Sequence, residues 1–326
     1  MLNYDSELLE HAGPNLQAVV SGFQTPVHDT AALRAFLDGV IAPIAALPVA
    51  PDTEVTVYQV PSTNGHKVPV YHVARKRPDS TVPAPAPAGP ALLYAHGGGF
   101  MHGSAKDWIG ILAHRVQVVG VPSFAVDYRL APEHPFPAAL DDMYAALTWL
   151  HENAAQLGVD RARIAVHGES AGATLAAGVA LLARDRALSP PLAKQVLAYP
   201  ALDDRTMVPN PALAPFATWN YENNRTAFTA YLGGAKFGTD DDVVSPYAAP
   251  ARATSLEGLP PMYIDVGALD IFRDECIAYA AKAAAANVNV ELHVYAGVPH
   301  MFEMLAFSSG VAQKANADRT AAMKSF

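Results

Sequence analysis

The sequence has almost no cysteine. Cys276 is the single one among 326 residues, so the chain can form neither an intramolecular disulfide nor a cysteine-based metal site. Because Cys276 lies in a predicted helix, we expect it to be a small buried residue and not a nucleophile. P-loop, Gly-x-Gly-x-x-Gly and His-Glu-x-x-His patterns are also absent, so the sequence predicts neither a nucleotide cofactor nor a metal.

Charged residues are scarce as well. They make up 16% of the chain, and 22 Lys and Arg against 31 Asp and Glu give a net charge of −9. No basic run offsets this, which argues against a nucleic-acid or anionic-membrane partner. No stretch of about 18 apolar residues occurs, and the acidic segment Met1–Glu10 lacks the basic and apolar regions of a signal peptide. We therefore expect a cytoplasmic protein with no membrane partner.

Apolar residues, in contrast, make up 51% of the chain, enough for a large buried core. From residue 91 onward, short apolar runs alternate mostly with helical patterns, which predicts an α/β protein with a mostly parallel central sheet and helices on both faces. The predicted strands are Ala91–Ala95, Ser123–Asp127, Arg163–His167, Gln195–Tyr199, Met262–Val266 and Asn289–Tyr295. The predicted helices are Trp108–Val119, Ala138–Gln156, Ala171–Leu188 and Arg273–Ala286. Before them, Thr53–Val60 and Lys67–Ala74 predict an antiparallel hairpin that adds N-terminal edge strands to the sheet.

The pentapeptide Gly168-Glu-Ser-Ala-Gly172 lies between a predicted strand and a predicted helix. A Gly-x-Ser-x-Gly at such a junction is typical of a nucleophile elbow, in which a sharp turn exposes the serine hydroxyl above the sheet. The pattern alone is weak, because a small-residue turn arises easily in a chain of this composition. The elbow interpretation for Ser170 therefore depends on whether other segments supply an oxyanion hole, a base and an acid.

An oxyanion hole is indicated by His96-Gly-Gly-Gly-Phe100, which follows a predicted strand. Consecutive glycines let main-chain N–H groups approach a ligand without a Cβ in the way. The predicted donors are the amides of Gly98, Gly99 and Ala171.

The base and the acid are chosen among several candidates by position. In the chain order of α/β-hydrolases, Ser is followed by the acid and then by His, and His300 lies in a loop just after the last predicted strand. Asp270 lies just beyond the strand 262–266, where loops carry catalytic groups, and we favour it over Asp274 at the start of the next helix. The sequence therefore predicts Ser170, Asp270 and His300 as the catalytic residues.

Two stretches interrupt the alternation of strands and helices. Residues 1–50 contain amphipathic helical patterns that we expect Pro43 and Pro48 to break, and residues 203–255 are rich in proline and aromatic residues with no clear strand. Insertions of this kind sit over the carboxyl ends of the strands. We expect 1–50 and 203–255 to be two cap segments over a catalytic domain of residues 51–202 and 256–326. The proline-alanine tract 81–90 predicts an exposed, semi-rigid loop.

Taken together, these motifs resemble the hormone-sensitive-lipase-like branch of the α/β-hydrolases, which includes the bacterial family IV carboxylesterases. The resemblance covers residues 91–303. Besides the glycine motifs, it rests on Asp127-Tyr-Arg-Leu-Ala-Pro-Glu-His-Pro-Phe-Pro-Ala138, Leu269-Asp-Ile-Phe-Arg-Asp-Glu275 and His300-Met-Phe302. It implies an α/β-hydrolase fold with a helical cap and the same three catalytic residues. It also implies hydrolysis of small carboxylic esters without a metal or cofactor, and a homodimer through an edge strand such as 289–295.

The chain departs from the family pattern at three positions. Glu169 stands where aspartate is common, Ala173 where a further glycine is frequent, and Met301 where glycine is common. None of these removes a catalytic group. They raise the question of what surrounds the elbow and His300.

Two other functions use the same scaffold. One is a non-catalytic small-ligand receptor, which intact Ser170, Asp270 and His300 argue against. The other is an amidase or acyltransferase, which would share the acyl-enzyme and differ only in leaving group or acceptor. The cap segments lack a long exposed apolar helix of the interfacial type, so we expect short- to medium-chain acyl esters as substrates, not insoluble lipid.

Overall fold

The computed structural model describes residues 2–23, 29–76, 88–234 and 236–326. Within them an eight-stranded sheet has the order β1-β2-β4-β3-β5-β6-β7-β8. The proline-alanine loop expected at 81–90 lies outside the described residues except for its last three. The strands are β1 Thr53–Pro61, β2 Lys67–Arg75, β3 Gly89–Ala95, β4 Ser123–Val126, β5 Val159–Glu169, β6 Lys194–Ala198, β7 Met262–Gly267 and β8 Val290–Tyr295.

The strand directions confirm the predicted sheet. Strands β4, β3, β5, β6, β7 and β8 run parallel to one another, while β1 and β2 form an antiparallel hairpin that joins the sheet through β2 and β4. The central strands are buried along almost their whole length, as expected for strands covered by helices on both faces. This strand order agrees with the α/β-hydrolase fold that the sequence motifs imply.

The four predicted helices are present, and each begins within one residue of its predicted start. The helices in the described residues are α1 Ser6–Phe23, α2 Thr30–Ala45, α3 Ile109–Val119, α4 Ala138–Leu157, α5 Ala171–Asp185, α6 Tyr221–Leu232, α7 Arg273–Ala285, α8 Phe302–Leu305 and α9 Gly310–Lys324. None of these helices is both long enough and apolar enough to cross a membrane. Cys276 is buried in α7, as predicted.

The expected break at Pro43 is wrong, because α2 continues through Pro43 to Ala45. Proline inside a helix removes one backbone hydrogen bond. Two features offset that loss here: the Asp29 side chain caps the first turn by accepting from the Ala32 amide at 2.5 Å, and α2 buries a continuous apolar stripe. That stripe consists of Leu33, Leu37, Ile41 and Ile44.

The C-terminal helix α9 was not predicted. Its buried face carries mainly alanines, and its largest buried side chain is the charged Arg319, so the sequence shows no apolar stripe there. Helix α1 contacts this region: Leu8, Ala12 and Leu16 form a cluster with Val298, Phe302 and residues of α9. The N-terminal helix therefore rests on the same segment that carries His300.

Candidate active site

The elbow is formed where β5 ends at Glu169 and α5 begins at Ala171. Ser170, between them, has φ 54° and ψ −122°, a conformation that costs a non-glycine residue about 1–3 kcal/mol and is maintained only by surrounding structure. Helix α5 crosses the end of β3 so closely that a Cβ on Gly172 would lie 2.1 Å from the Ala95 carbonyl oxygen. The strained turn thus depends on glycine at 172, which explains the motif.

The structure brings the three predicted side chains into one hydrogen-bonded chain. His300 Nε2 lies 2.9 Å from Ser170 Oγ, and His300 Nδ1 lies 2.6 Å from Asp270 Oδ2. Asp270 and His300 are almost fully buried and Ser170 is 9% exposed. An imidazole placed between a hydroxyl and a carboxylate can take the hydroxyl proton while the carboxylate stabilises the imidazolium.

Asp274, the alternative acid, lies elsewhere, and so do a second aspartate and a second histidine of the neighbouring strands. Asp274 is exposed and pairs with Arg273 at 2.7 Å. Asp265, within β7, is buried in an ion pair with Arg319. His293 in β8 is half-buried and lies 2.9 Å from Glu291. None of these three groups contacts His300 in place of Asp270.

The glycine-rich segment after β3 forms a tight turn, here called the oxyanion turn (Gly98–His102). The amides of Met101 and His102 both donate to the Gly98 carbonyl, at 3.2 and 3.0 Å. Gly98 has φ +121°, and a Cβ there would lie 2.1 Å from the His102 carbonyl oxygen, so no other residue fits. Ala171 begins α5, so its amide is one of the first-turn N–H groups that lack an intrahelical acceptor.

His96 supports this turn from below. Its ring stacks between Trp108 and Tyr128, with centroids 5.2 and 4.3 Å away, and its Nδ1–H donates to the Gly97 carbonyl at 2.6 Å. Tyr128 Oη donates to the His96 carbonyl at 2.7 Å. Burial lowers the pKa of His96 to about 4, so the ring is neutral at pH 7 and serves the turn as a rigid donor.

Glu169, the first departure from the family pattern, is buried beneath the elbow. Arg115 of α3 donates to its Oε1 at 2.6 Å, and Tyr94 Oη donates to its Oε2 at 2.6 Å. Burial alone would raise the pKa of Glu169, but Arg115 and His167 outweigh it and hold that pKa well below its usual range. The ionised carboxylate thus joins α3, β3 and β5 directly behind Ser170.

A second buried ion pair lies behind His300. Arg319 of α9 donates to both carboxylate oxygens of Asp265, at 2.8 and 2.9 Å, and to Glu303 at 2.8 Å. Tyr199 Oη also donates to Glu303, at 2.7 Å, and the Tyr199 ring meets the His300 ring edge-on at 4.8 Å. Arg319 therefore connects β7, which precedes Asp270, with α8, which follows His300.

Met301, another departure, has φ +57°. Glycine adopts this left-handed conformation at no steric cost, whereas methionine does not. The Met301 side chain lines the pocket. Ala173, the remaining departure, is fully buried in the first turn of α5.

The pocket above the three residues has a cavity volume of about 40 Å³, and its exposed lining is almost entirely apolar. Three polar side chains line it besides Ser170 and His300, and each has a partner in the protein. Thr218 Oγ1 donates to the His300 carbonyl at 2.7 Å, while Tyr199 and Glu169 are bonded as described above. Most of the apolar lining comes from the N-terminal helices and two tryptophans: Val19, Leu37, Val40, Ile41, Trp108 and Trp219.

Sequence reasoning named the three side chains that the structure brings together, but it missed their supports. Arg115, Arg319 and Tyr199 carry no motif and lie far along the chain from the residues they contact. A further support lies within the quoted motif 127–138: Arg129 donates to both oxygens of Asp142, at 2.8 and 2.7 Å, and braces the loop after β4 against α4. Trp219 also had a signal, as one of the aromatic residues of the 203–255 stretch.

Comparison with known proteins agrees with this architecture. A family model described as the alpha/beta hydrolase fold matches residues 92–304. Esterase LipI of Mycobacterium tuberculosis is 43% identical over 211 residues, 63% of this chain and 62% of LipI, so the match spans less than two thirds of that relative. Carboxylesterase NlhH of the same organism is 38% identical over 242 residues, 72% of this chain and 73% of NlhH.

Among solved structures, a bacterial heroin esterase superposes with a TM-score of 0.84 at 35% identity, covering 97% of this chain and 98% of that one. Both the sequence relatives and this structure are named as esterases. The protein therefore belongs to the α/β-hydrolase fold family and, within it, to the hormone-sensitive-lipase-like carboxylesterases.

Proposed function

We propose that this protein is a serine esterase that hydrolyses short- to medium-chain esters of uncharged carboxylic acids. The observation that carries the proposal is the buried chain from Ser170 through His300 to Asp270, at 2.9 and 2.6 Å, at the floor of an apolar pocket. Relatives named esterase and carboxylesterase support the reaction class.

The reaction would proceed in two acyl-transfer steps. His300 Nε2 takes the proton of Ser170 Oγ as the oxygen attacks the ester carbonyl carbon. The tetrahedral intermediate collapses, the bond to the alcohol oxygen breaks, and His300 returns the proton to the leaving alcohol. Water then attacks the acyl-enzyme with His300 again as base, which releases the acid and restores Ser170.

The negative oxygen of each intermediate would be stabilised by the amides of Gly98, Gly99 and Ala171. Two of these come from the oxyanion turn and one from the start of α5, so they approach the Ser170 side from different elements. Preorganised amides of this kind account for a large share of catalysis, since removing one donor from such a site costs about 10²–10³-fold in kcat.

We also propose that the segments 1–50 and 203–255 act as a cap over a catalytic domain formed by 51–202 and 256–326. Helices α1 and α2 supply Val19, Leu37 and Ile41 to the pocket wall. The second segment supplies Thr218, which binds the His300 carbonyl, and Trp219.

The preference for an uncharged acyl group follows from the lining. Among the residues that the structure describes, no lysine, arginine or histidine other than His300 lines the pocket, and the one carboxylate there, Glu169, is engaged by Arg115 and Tyr94. A charged acyl chain would have to give up its hydration without a compensating partner, which is strongly unfavourable.

The test is a series of p-nitrophenyl esters from acetate to decanoate, with the p-nitrophenyl ester of succinic acid as a charged analogue of the valerate ester. We expect Ser170→Ala to lose about 10⁴-fold or more in kcat, and the surface control Ser255→Ala to match the wild type. The charged ester should react far more slowly than valerate. Near-wild-type turnover by Ser170→Ala would end the proposal, and faster cleavage of matched anilides than of esters would make the protein an amidase.

An intact Ser170–His300–Asp270 chain weighs against the alternative that the protein is a non-catalytic small-ligand receptor.

The homodimer that the family resemblance implies would form through β8, which is an edge strand of the sheet. Light scattering on the wild type tests it: a dimer mass is expected, and a monomer mass at all concentrations would contradict it.

A further inference from the structure

Helix α2 does more than line the pocket, because Arg34 reaches from it to the oxyanion turn. Arg34 Nε donates to the Met101 carbonyl at 2.7 Å, and Nη2 donates to the Ala131 carbonyl at 2.8 Å. The same guanidinium binds both oxygens of Glu133, at 2.7 and 2.6 Å. The guanidinium of Arg34 therefore joins three segments: helix α2, the oxyanion turn and residues 131–133.

The two carbonyls that Arg34 binds belong to two backbone segments that are hydrogen-bonded to each other. Ala131 donates its amide to the Phe100 carbonyl at 3.0 Å, and Met101 donates its amide to the Gly98 carbonyl at 3.2 Å. Arg34 thus closes a ring of hydrogen bonds that runs from Gly98 through Phe100 and Met101 to Ala131. A guanidinium suits this position since its planar fork holds several acceptors in fixed directions.

A second side chain of α2 contacts the same turn one helical turn later. His102 Nε2 lies 2.8 Å from Asp38 Oδ1. Residues 34 and 38 therefore face the oxyanion turn together, while Leu37, Ile41 and Ile44 of the same helix line the pocket. The helix is fixed to the turn on one side and faces the substrate space on the other.

We propose that Arg34 is a positioning residue for the oxyanion hole: it holds the backbone of the oxyanion turn so that the amides of Gly98 and Gly99 point at the developing oxyanion. The proposal rests on the esterase function proposed above. Arg34 acts through the Met101 and Ala131 carbonyls and does not itself touch the substrate.

The physical argument separates this role from ordinary stabilisation. The Arg34 side chain is 29% exposed and its partner Glu133 is 55% exposed, so the ion pair contributes little to folding. The direction of an oxyanion amide, in contrast, matters in the transition state more than in the ground state, because the full negative charge develops only there. Loss of Arg34 should therefore lower kcat and spare KM.

The chain contains a matched control. Arg184 is 23% exposed, binds one carboxylate, that of Asp185, and donates to two backbone carbonyls, those of Ser255 and Glu257. It bridges two segments in the same way as Arg34, but its carbonyl partners belong neither to the oxyanion turn nor to the pocket lining. Arg184→Met should leave esterase kinetics unchanged.

The experiment measures kcat and KM for p-nitrophenyl acetate and hexanoate, and the inhibition constant of butylboronic acid, which forms a tetrahedral adduct with the serine. For Arg34→Met we expect kcat to fall roughly 10- to 100-fold on both esters, with KM within about twofold. The boronate should bind more weakly by about the same factor as the fall in kcat/KM. Arg34→Lys, which keeps the charge but not the fork, should lie between Arg34→Met and the wild type.

Several outcomes would overturn the proposal. One is a kcat within twofold of wild type in Arg34→Met; another is a loss that appears only as a higher KM for hexanoate, which would mean that α2 had left the pocket. A fall in kcat no larger than that of Arg184→Met would also overturn the proposal. If Arg34→Met does not fold, Arg34→Lys decides: unchanged kcat and boronate affinity would reject the role. Absence of esterase activity in the wild type would instead reject the proposed function itself.

Discussion

The side of the site that faces the sheet carries buried ion pairs, whereas the side that faces the N-terminal helices carries almost only apolar side chains. Behind Ser170 lie Glu169 and Arg115, and behind His300 lie Glu303 and Arg319, all at most 11% exposed. In front of them, α1 and α2 present valine, leucine and isoleucine. The two sides are built from opposite chemistry.

The difference separates two tasks. Buried ion pairs have strict geometry and leave an uncompensated charge if one partner is lost, so they suit the task of holding the reacting groups in place. Apolar side chains offer volume without direction, and they suit the task of accepting acyl chains of several lengths. Changes on the sheet side should therefore alter turnover or folding, and changes to the apolar side chains on the helix side should alter which ester is preferred.

The largest effect should come from the acid on the sheet side. Asp270→Asn removes the charge that orients His300 and stabilises its imidazolium, and we expect kcat to fall by about 10⁴-fold. Asp274→Asn, four residues away but exposed and paired with Arg273, should stay within about twofold of wild type. Steady-state kinetics on p-nitrophenyl butyrate compares them, and a large loss in Asp274→Asn alone would move the role to Asp274.

The next effect concerns two ion pairs of equal length. Arg115–Glu169 and Arg34–Glu133 both have N–O distances of 2.6 Å, but Glu169 is 3% exposed and Glu133 is 55% exposed. Glu169→Gln leaves Arg115 buried without its counter-charge and should cost about 3–5 kcal/mol of unfolding free energy. Glu133→Gln should cost less than about 1 kcal/mol. Urea unfolding measures both, and equal losses would show that burial does not distinguish the two pairs.

A somewhat smaller effect is expected from pH. The pKa of buried His96 is about 4, below the ordinary value of 6.5, so between these values the unfolded chain binds a proton that the folded chain does not. The stability that neutral His96 provides is therefore complete above pH 6.5, declines as the pH falls, and is lost by about pH 4. The total is on the order of 3 kcal/mol.

The variant His96→Asn isolates this contribution, since the amide keeps a donor for the Gly97 carbonyl but does not titrate. Its unfolding free energy should fall less than that of the wild type between pH 6.5 and 4. The exposed-histidine control, His114→Asn, should follow the wild type. Identical pH profiles for the wild type and His96→Asn would show that His96 is not held neutral.

The smallest effect should come from the apolar side. Ile41→Ala enlarges the pocket, so the ratio of kcat/KM for hexanoate to that for acetate should rise by roughly fourfold, about the value of one methylene group. Leu112→Ala removes similar volume from the cluster beneath α2, but Leu112 does not line the pocket. It should change stability and leave this ratio unaltered; an equal shift in both variants would mean that the pocket wall does not select the acyl chain.

The aligned side chains and the residues that support them differed in how well the sequence predicted them. Ser170, Asp270, His300 and Gly98 could be singled out from the sequence because a strained turn, a chain order and a glycine close approach each leave a local pattern. The strands could be found because burial on both faces leaves continuous apolar runs. These signals are local, and the sheet simply brings their ends together.

The supports left no such pattern. Arg319 contacts Asp265, 54 residues away, and Arg34 contacts Met101, 67 residues away, so neither pairing follows from spacing. The buried face of helix α9 consists mainly of alanines, so it leaves no apolar stripe in the sequence. Helix α2 continues through Pro43 because the burial of its apolar face outweighs one lost hydrogen bond. Two effects could not be predicted from the sequence alone. One is the pairing of charges that lie far apart along the chain, and the other is tertiary packing that outweighs the local helix propensity.

The central claim is that Ser170, activated by His300, forms the acyl-enzyme. The most direct measurement is intact-mass analysis with peptide mapping after treatment with a p-nitrophenyl dialkyl phosphate, which phosphorylates activated serines. The account predicts one adduct per chain, on the peptide that contains Ser170, with no adduct in Ser170→Ala and strongly slowed labelling in His300→Ala. An adduct on another residue, or equally fast labelling of Ser170 without His300, would contradict it.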